Sequence, residues 1–181
     1  SYKFLWARLF LLLITFVIRR AEDVSSCYES GVSWVNSMRD SADCKWIPCG
    51  ISNGQITIAK SRSTQGNFDI GYVGSFRDVH NLDKLIEFAL KYNLKVKLVG
   101  TGHEYERITK FLKSSNLMGQ FHSIGFVESD LVKEEISDCK VMWALTTDEY
   151  WGLPMKIVEY LAAGKPVISN FKIELEWFEN L

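Results

Sequence analysis

Residues 148–168 read DEYWGLPMKIVEYLAAGKPVI, and this stretch decides the fold of the chain. Gly152 and Pro154 predict a loop that runs into a helix, because proline is tolerated in a first helical turn, where the N–H that it lacks would have no partner. Gly164 and Pro166 predict the end of that helix, and a short buried strand follows. The apolar residues that recur at helical spacing, and so predict the core-facing side, are Ile157, Val158, Leu161 and Ala162.

The start of this helix is the first candidate for a binding site. Backbone N–H groups from about Gly152 to Lys156 have no intrahelical partner, and together with the helix dipole they favour phosphate or sugar oxygens. Lys156 adds a positive charge, and Glu159 follows three residues later, so both side chains share one face. A carboxylate in that place can accept hydrogen bonds from two neighbouring hydroxyl groups, as on a ribose. The alternative is a surface ion pair between Lys156 and Glu159, which is common and contributes little to stability.

Residues 152–168, Gly-Leu-Pro-x-Lys-x-x-Glu-Tyr-Leu-Ala-x-Gly-Lys-Pro-Val-Ile, resemble the donor-site signature of family 4-like (group 1) retaining glycosyltransferases with the glycosyltransferase-B fold. The resemblance implies that Glu159 holds the ribose of a nucleotide-sugar donor and that an earlier acidic residue contacts the donor sugar. The family places that acid eight positions earlier, where this chain has Trp151. Glu149 or Asp148 is the substitute, and we assign the role to Glu149.

Two further loops resemble donor-binding loops of the same family. In Val73-Gly74-Ser75-Phe76, the glycine allows a ligand to approach the backbone and the serine can donate to a phosphate. Family members carry arginine at the Ser75 position and lysine near His80, so Arg77 and Lys156 are the expected substitutes. The segment Gly125-Phe126-Val127 resembles the loop that reads the nucleotide base. The alternative for both loops is a plain strand exit. The candidate donor-binding residues are Gly74, Ser75, Arg77, Phe126, Val127, Trp151, Gly152, Leu153 and Pro154, and the candidate catalytic residues are Glu149, Lys156 and Glu159.

The composition predicts a globular protein and argues against several classes of partner. Apolar residues make up 47% of the 181 residues, and the formal net charge is −1. The chain therefore has a core but no excess of basic residues that would favour nucleic acid. The four cysteines form no Cys-x-x-Cys pair and the three histidines stand apart, which argues against a zinc site and a disulfide framework. We expect a reducing, cytoplasmic compartment.

The chain divides into three predicted segments. Residues 1–51 resemble the C-terminal remnant of the family's acceptor-binding lobe, with helices over 3–20 and 28–38. The apolar run Leu9–Ile18 is too short for a membrane span and predicts a buried helix of a larger protein. Residues 52–67 are polar and rich in turn-forming residues, which predicts an interdomain linker. Residues 68–181 are predicted to form the donor-binding domain, truncated at its C-terminus.

From Phe68 onward, strand and helix patterns alternate regularly. The predicted strands cover 69–74, 95–100, 120–126, 140–145 and 166–169, and the predicted helices cover 81–92, 104–114, 131–137 and 154–163. This alternation predicts an α/β, Rossmann-like, doubly wound parallel sheet, one lobe of the glycosyltransferase-B fold. The turns after Gly74, Gly125 and Thr146 should then lie at one edge of the sheet, where such folds bind ligands.

The resemblance implies a glycosyltransferase that moves a sugar from a nucleotide-diphosphate sugar to a saccharide or lipid-linked acceptor in surface polysaccharide synthesis. It implies no required metal or other cofactor, and peripheral association with the inner face of the cell membrane. Because the family's site lies between two lobes, we expect that the 181 residues alone do not catalyse transfer. Two alternatives remain open: a nucleotide-sugar epimerase with this fold, and a catalytically silent nucleotide-binding or scaffold domain.

Overall fold

The computed structural model describes residues 2–41, 43–47, 50, 66–147 and 154–170. The chain forms two compact units, Ser1–Gly50 and Ile51–Leu181. Apart from Gly66 and Asn67, the predicted linker lies outside the described residues.

The first unit contains two helices and a small parallel pair of strands. Its elements are α1 (Tyr2–Arg20), β1 (Ser25–Ser26), α2 (Glu29–Asn36) and β2 (Lys45–Trp46), with β1 and β2 paired. Arg39 fixes the end of α1 by donating to the carbonyl oxygens of Ile18 and Ala21 at 2.6 and 2.9 Å. Large apolar side chains stand exposed along α1 at Leu5, Trp6, Leu9, Phe10, Leu11, Leu12, Leu13, Phe16 and Val17. Among the helices of the described residues, none has both the length and the apolarity that a bilayer crossing needs.

The second unit is a parallel sheet that alternates with helices, as the sequence predicts. Its elements are β3 (Phe68–Val73), α3 (Leu82–Tyr92), β4 (Val96–Val99), α4 (Tyr105–Ser114), β5 (Phe121–Ile124), α5 (Val132–Ser137), β6 (Cys139–Trp143), α6 (Met155–Ala162) and β7 (Val167–Ile168). The strand order is β5-β4-β3-β6-β7, and every neighbouring pair is parallel. The predicted fold class is therefore confirmed.

Helices cover both faces of this sheet, so its strands are apolar on both sides. On one face, α3 and α4 pack on a buried cluster that contains Tyr72, Leu85 and Leu98. On the other face, α5 and α6 pack on a second cluster that contains Met142 and Ile157. The sheet is thus a rigid platform for the loops that leave its carboxyl edge.

The buried lysine of β4 is accommodated by two carboxylates. Lys97 is 7% exposed, and its ammonium group forms ion pairs with Glu135, and with Asp138 at 2.9 Å. Both carboxylates belong to α5 and the residue that follows it, so the pairs fix α5 on the sheet. Removing one partner of such a buried pair is costly because it leaves a charge uncompensated.

The order of the strands places a topological switch point between β3 and β6. The chain enters the sheet at β3, adds β4 and β5 on one side, and then returns to add β6 and β7 on the other. Ligands of open α/β sheets bind beyond the carboxyl ends of the strands at such a point. The residues that follow β3 and β6 therefore border the candidate site.

Helix α6 matches the predicted helix in position, with two differences. Pro154 is the extended residue that caps the helix, not a residue of its first turn. The apolar face is also partly wrong, because Tyr160 is fully buried whereas Leu161 is 41% exposed. The predicted end is confirmed: Gly164 has φ +70°, its N–H donates to the carbonyl of Leu161, and the next N–H reaches the carbonyl of Tyr160. These bonds form a Schellman motif.

Candidate functional site

The loop after β3 is seated on the turn after β4 through close backbone contact. A Cβ atom built on Gly100 would lie 2.0 Å from the Gly74 carbonyl oxygen, and one built on Gly102 would lie 2.3 Å from that of Phe76. Phe76 donates its N–H to the carbonyl of Thr101 at 2.8 Å. Gly100-Thr101-Gly102 is thus a strand-to-helix turn whose two glycines allow two backbones to pass each other. The turn thereby fixes the course of the Gly74 loop.

The loop after β5 continues this row along the carboxyl edge. Gly100 donates its N–H to the carbonyl of Gly125 at 2.8 Å. Val127 packs against the core cluster beneath α5 and α6, whereas the ring of Phe126 is 71% exposed. Hydrogen bonds therefore link the exits of β3, β4 and β5 along one edge, which includes two of the three predicted exits, those after Gly74 and Gly125, and Phe126 presents an aromatic face to solvent there.

The amine of Lys156 lies beneath Gly74. Its Nζ donates a 3.0 Å hydrogen bond to the hydroxyl of Tyr72 and lies 4.5 Å from the centroid of that ring. A Cβ atom built on Gly74, whose φ is +152°, would lie 3.3 Å from the same Nζ. Glycine is therefore needed at position 74 for two reasons. Residues with a side chain rarely adopt its backbone conformation, and a side chain there would crowd the amine of Lys156. Lys156 is the second residue of α6, and the earliest N–H groups of a helix have no intrahelical partner.

The charges at this point favour an anion. Burial lowers the pKa of Lys156 to about 7; the nearby Arg77 charge also lowers it, and Glu159 opposes the shift. Burial raises the pKa of Glu159, with Lys156 opposing. Both side chains of α6 are partly buried, and among the ion pairs of the described residues none joins them. The exposed surface pair is thus not what the structure shows.

Ser75 and His80, which stand where the resembled family carries basic residues, lie close together in this structure, and neither is charged. The Oγ of Ser75 lies 3.4 Å from the Nε2 of His80. Burial, together with the charges of Lys156 and Arg77, lowers the pKa of His80 to about 4. The imidazole is therefore neutral at pH 7. The cations left at this edge are Lys156 and the exposed Arg77.

Tyr160 is a site residue that sequence reasoning missed. Its hydroxyl donates to the carbonyl of Val73 at 2.7 Å and accepts from the N–H of the same residue at 2.9 Å. The Gly74 N–H is bonded to β4, so the polar groups of Val73 point toward β6, where pairing with β3 has ended at Gly71 and Met142. The tyrosine replaces the missing strand partner and attaches α6 to the end of β3. A tyrosine on the apolar side of a helix, ahead of a glycine cap, is only a faint signal for such a role.

Replacing Tyr160 by phenylalanine should lower the free energy of unfolding by about 2 kcal/mol, because two buried backbone groups lose their partner while the ring is kept. Urea denaturation measures the change. Tyr92→Phe is the matched control, since that side chain is 54% exposed and should change stability by less than about 0.5 kcal/mol. Equal stability of the two variants would contradict the assigned bonds.

The remaining predicted residues lie in or beside a segment outside the described residues. Glu149, Trp151, Gly152 and Leu153 belong to that segment, so their placement is not tested. Its two flanks are described: the N–H of Thr147 donates to the carbonyl of Val79 at 2.8 Å, and buried Pro154 caps α6. Among the described residues, no cluster of histidine, cysteine, aspartate and glutamate could hold a metal ion.

Comparison with solved structures finds the same fold at low sequence identity. Sucrose-phosphate synthase from Thermosynechococcus elongatus gives a TM-score of 0.71 at 18% identity over 92% of this chain and 45% of that one. A TarM variant from S. aureus, solved with UDP, fondaparinux and alpha-GlcNAc-glycerol, gives 0.67 at 19% identity over 90% of this chain and 33% of that one. HepE from Anabaena, solved with UDP, gives 0.65 at 19% identity over 84% of this chain and 46% of that one.

Sequence comparison agrees with this fold. An uncharacterized glycosyltransferase of Methanocaldococcus jannaschii is 29% identical over 107 residues, which are 59% of this chain and 30% of that protein. The chain thus spans between 30% and 46% of the length of these four proteins. The family model of the group 1 glycosyl transferases matches residues 55–173. Because that match covers more than half of the chain and includes the whole candidate site, the chain belongs to the group 1 glycosyl transferase family.

Proposed function

We propose that this chain binds a nucleotide-diphosphate sugar at the switch point between β3 and β6. The protein then transfers the sugar to a saccharide or lipid-linked acceptor. Family membership supports transfer rather than epimerisation or a silent scaffold. TarM and HepE, which share the fold, were both solved with UDP, so a nucleoside diphosphate is the ligand class to test first.

The observation that carries this proposal is the pair of cations beside Gly74. Lys156 and Arg77 are close enough that the charge of one lowers the pKa of the other, and within the described residues neither forms an ion pair. Two cations that form no ion pair within the described residues, one of them in the first turn of a helix, form a binding site for a diphosphate. A dianion between them removes their mutual repulsion, which is a favourable contribution absent from the free protein.

The same groups can assist the reaction. When the bond between the sugar carbon and the diphosphate oxygen breaks, the electron pair goes to that oxygen, and negative charge builds beside Lys156 and the helix N–H groups. Donors held in place before the reaction stabilise such charge effectively. The acceptor hydroxyl oxygen bonds to the sugar carbon, and its proton passes to the departing diphosphate. With backbone groups, Lys156 and Arg77 supplying the stabilisation, we infer that no metal is required.

Three outcomes of one experiment separate the proposal from its alternatives. The protein is titrated with UDP and GDP by calorimetry and then incubated with their sugar derivatives, with and without saccharide acceptors. Transfer or slow donor hydrolysis supports the proposal. Interconversion of the sugar without acceptor favours an epimerase, and binding with no turnover in a protein with both lobes favours a scaffold.

Glu159→Gln should weaken binding of the nucleoside part by roughly tenfold or more, because a charged hydrogen bond is worth about 1.5–3 kcal/mol and each 1.4 kcal/mol is a factor of ten. The amide keeps the shape and loses the charge. Uridine should respond to Glu159→Gln and hardly to Lys156→Met, whereas UDP should respond to both. Glu106→Gln, on the exposed face of α4, is the control. Unchanged uridine affinity would refute the ribose role.

The setting of the reaction is part of the proposal. The signature resembles that of enzymes of surface polysaccharide synthesis, and we infer a cytoplasmic protein that associates with the inner face of the cell membrane. The exposed apolar side chains of α1 support such association. Co-sedimentation with anionic lipid vesicles tests it, and a protein that stays in the supernatant would refute it.

A further inference from the structure

Tyr72 joins the two walls of the candidate site from below. It lies one residue before the end of β3 and its side chain is fully buried. The hydroxyl donates to the carbonyl oxygen of Ser75 and accepts the 3.0 Å hydrogen bond from the amine of Lys156. One phenol oxygen therefore connects β3, the loop that follows it, and α6.

We propose that Tyr72 is a positioning residue for the anion site: its hydroxyl fixes the Lys156 amine beneath Gly74 and couples it to the Ser75 loop. The identity of the anion as a diphosphate rests on the proposed function, whereas the positioning itself rests on the contacts of Tyr72. Tyr72 acts through Lys156 and does not touch the ligand.

The direction of each hydrogen bond follows from the donors and acceptors that the Tyr72 hydroxyl has. A phenol has one proton to donate and lone pairs to accept with. The Ser75 carbonyl can only accept, so the phenol donates its single O–H hydrogen bond to that oxygen. The lysine nitrogen must then be the donor to the phenol oxygen. That bond is available to both the amine and the ammonium form. It is stronger for the ammonium, since a charged donor makes the stronger hydrogen bond.

The other contacts restrict the amine while the bond exists. The centroid of the Tyr72 ring lies 4.5 Å from Nζ, and a Cβ atom built on Gly74 would lie 3.3 Å from it. Without the hydroxyl, the four-carbon stem of Lys156 keeps its ring contact but loses the one directional partner that the described residues give its nitrogen. The amine then rotates, and its protonated form loses an acceptor.

Within the described residues, three charged or titratable side chains besides Tyr72 face this amine. Arg77, on the loop after β3, disfavours its protonation, and Glu159, on α6, favours it. His80, from the turn before α3, is neutral at pH 7 because burial holds its pKa at about 4. Removing the Tyr72 hydroxyl leaves all three in place, so a change in the titration of Lys156 reports on Tyr72 itself.

The test is an NMR titration of the lysine side chains in the protein and in Tyr72→Phe. The Lys156 signal is assigned by its absence in Lys156→Met, and its midpoint in the unsubstituted protein should lie near pH 7. Tyr72→Phe should lower that midpoint, because the ammonium loses an acceptor and the ring is unchanged. An unchanged midpoint overturns the proposal. Should Tyr72→Phe not fold, fluorotyrosine in place of tyrosine, which makes the phenol oxygen a poorer acceptor, should move the midpoint in the same direction.

A double-mutant cycle with UDP supplies the functional readout. Tyr72→Phe should weaken UDP binding about fivefold in the presence of Lys156 and have no effect on top of Lys156→Met, since the hydroxyl acts through that amine. Equal losses in both backgrounds would show a merely structural role and overturn the proposal. If neither UDP nor GDP binds the unsubstituted protein, the proposed function fails, and the lysine titration still decides the role of Tyr72.

Discussion

Gly100→Ala should lower the free energy of unfolding of the second unit by roughly 3 kcal/mol or more, and the same substitution should abolish nucleotide binding. The new Cβ would lie 2.0 Å from the backbone oxygen of Gly74, and a backbone atom cannot move aside as the tip of a side chain can. The residue also has φ +125°, a conformation that costs a side-chain-bearing residue about 1–3 kcal/mol. Relief of the contact requires a shift of the Gly74 loop, which covers Lys156.

Urea denaturation and calorimetric titration with UDP measure the two effects of Gly100→Ala. Gly119→Ala is the matched control, because no atom lies within 4 Å of its added Cβ, and both properties should be nearly unchanged. If Gly100→Ala unfolds at the same urea concentration as the unsubstituted protein, the close passage of the two loops is wrong. If it is destabilised but binds UDP normally, the loop does not shape the site.

The affinity for UDP should fall as the pH rises above 7, and Lys156→Met should abolish this dependence. In the free protein the pKa of Lys156 is about 7, and a bound diphosphate favours the ammonium form and raises that pKa. Binding above pH 7 therefore takes up a proton, and affinity falls by up to tenfold per pH unit until the pKa of the bound state is reached. The terminal phosphate of UDP is already ionised in this range, with a second pKa of about 6.

Calorimetry between pH 7 and 8.5, in buffers of different ionisation enthalpy, measures both the affinity and the proton uptake. At pH 7 the loss on Lys156→Met should be about 10- to 100-fold, which corresponds to a charged hydrogen bond of 1.5–3 kcal/mol, and it should shrink as the pH rises. Lys110→Met, on the exposed side of α4, removes the same charge away from the site and should keep the pH dependence. A constant loss at every pH would mean that the amine does not titrate in this range.

The sheet could be predicted from the sequence because its signals are local. Strand and helix periods alternate from Phe68 to Ile168, and each element lies within a few residues of its predicted bounds. Gly164 likewise marks the end of α6 with its own conformation. Such signals need only neighbours along the chain.

The interior of the site could not be predicted in this way, because its contacts join distant segments. Tyr160 is buried and Leu161 exposed, contrary to their apolar ranking, since the hydroxyl of Tyr160 has a partner 87 positions away in Val73. Burial and the charges of Glu159 and Arg77 set the pKa of Lys156, and periodicity shows neither the burial nor the approach of Arg77. The sequence shows that a histidine stands near the place where the resembled family has a lysine. It does not show that the ring of His80 is buried and uncharged.

The attachment of α6 to β3 has a consequence for the thermodynamics of binding. The hydroxyl of Tyr160 forms hydrogen bonds with both backbone polar groups of Val73, and Lys156 donates to the hydroxyl of the preceding residue, Tyr72. Both cations therefore extend from segments that are already joined, so a ligand has little backbone to order in the part of the site that the structure describes. Association between preorganised partners forfeits less conformational entropy. Among the described residues of this site, the group that adapts to the ligand is thus the amine of Lys156, which takes up a proton.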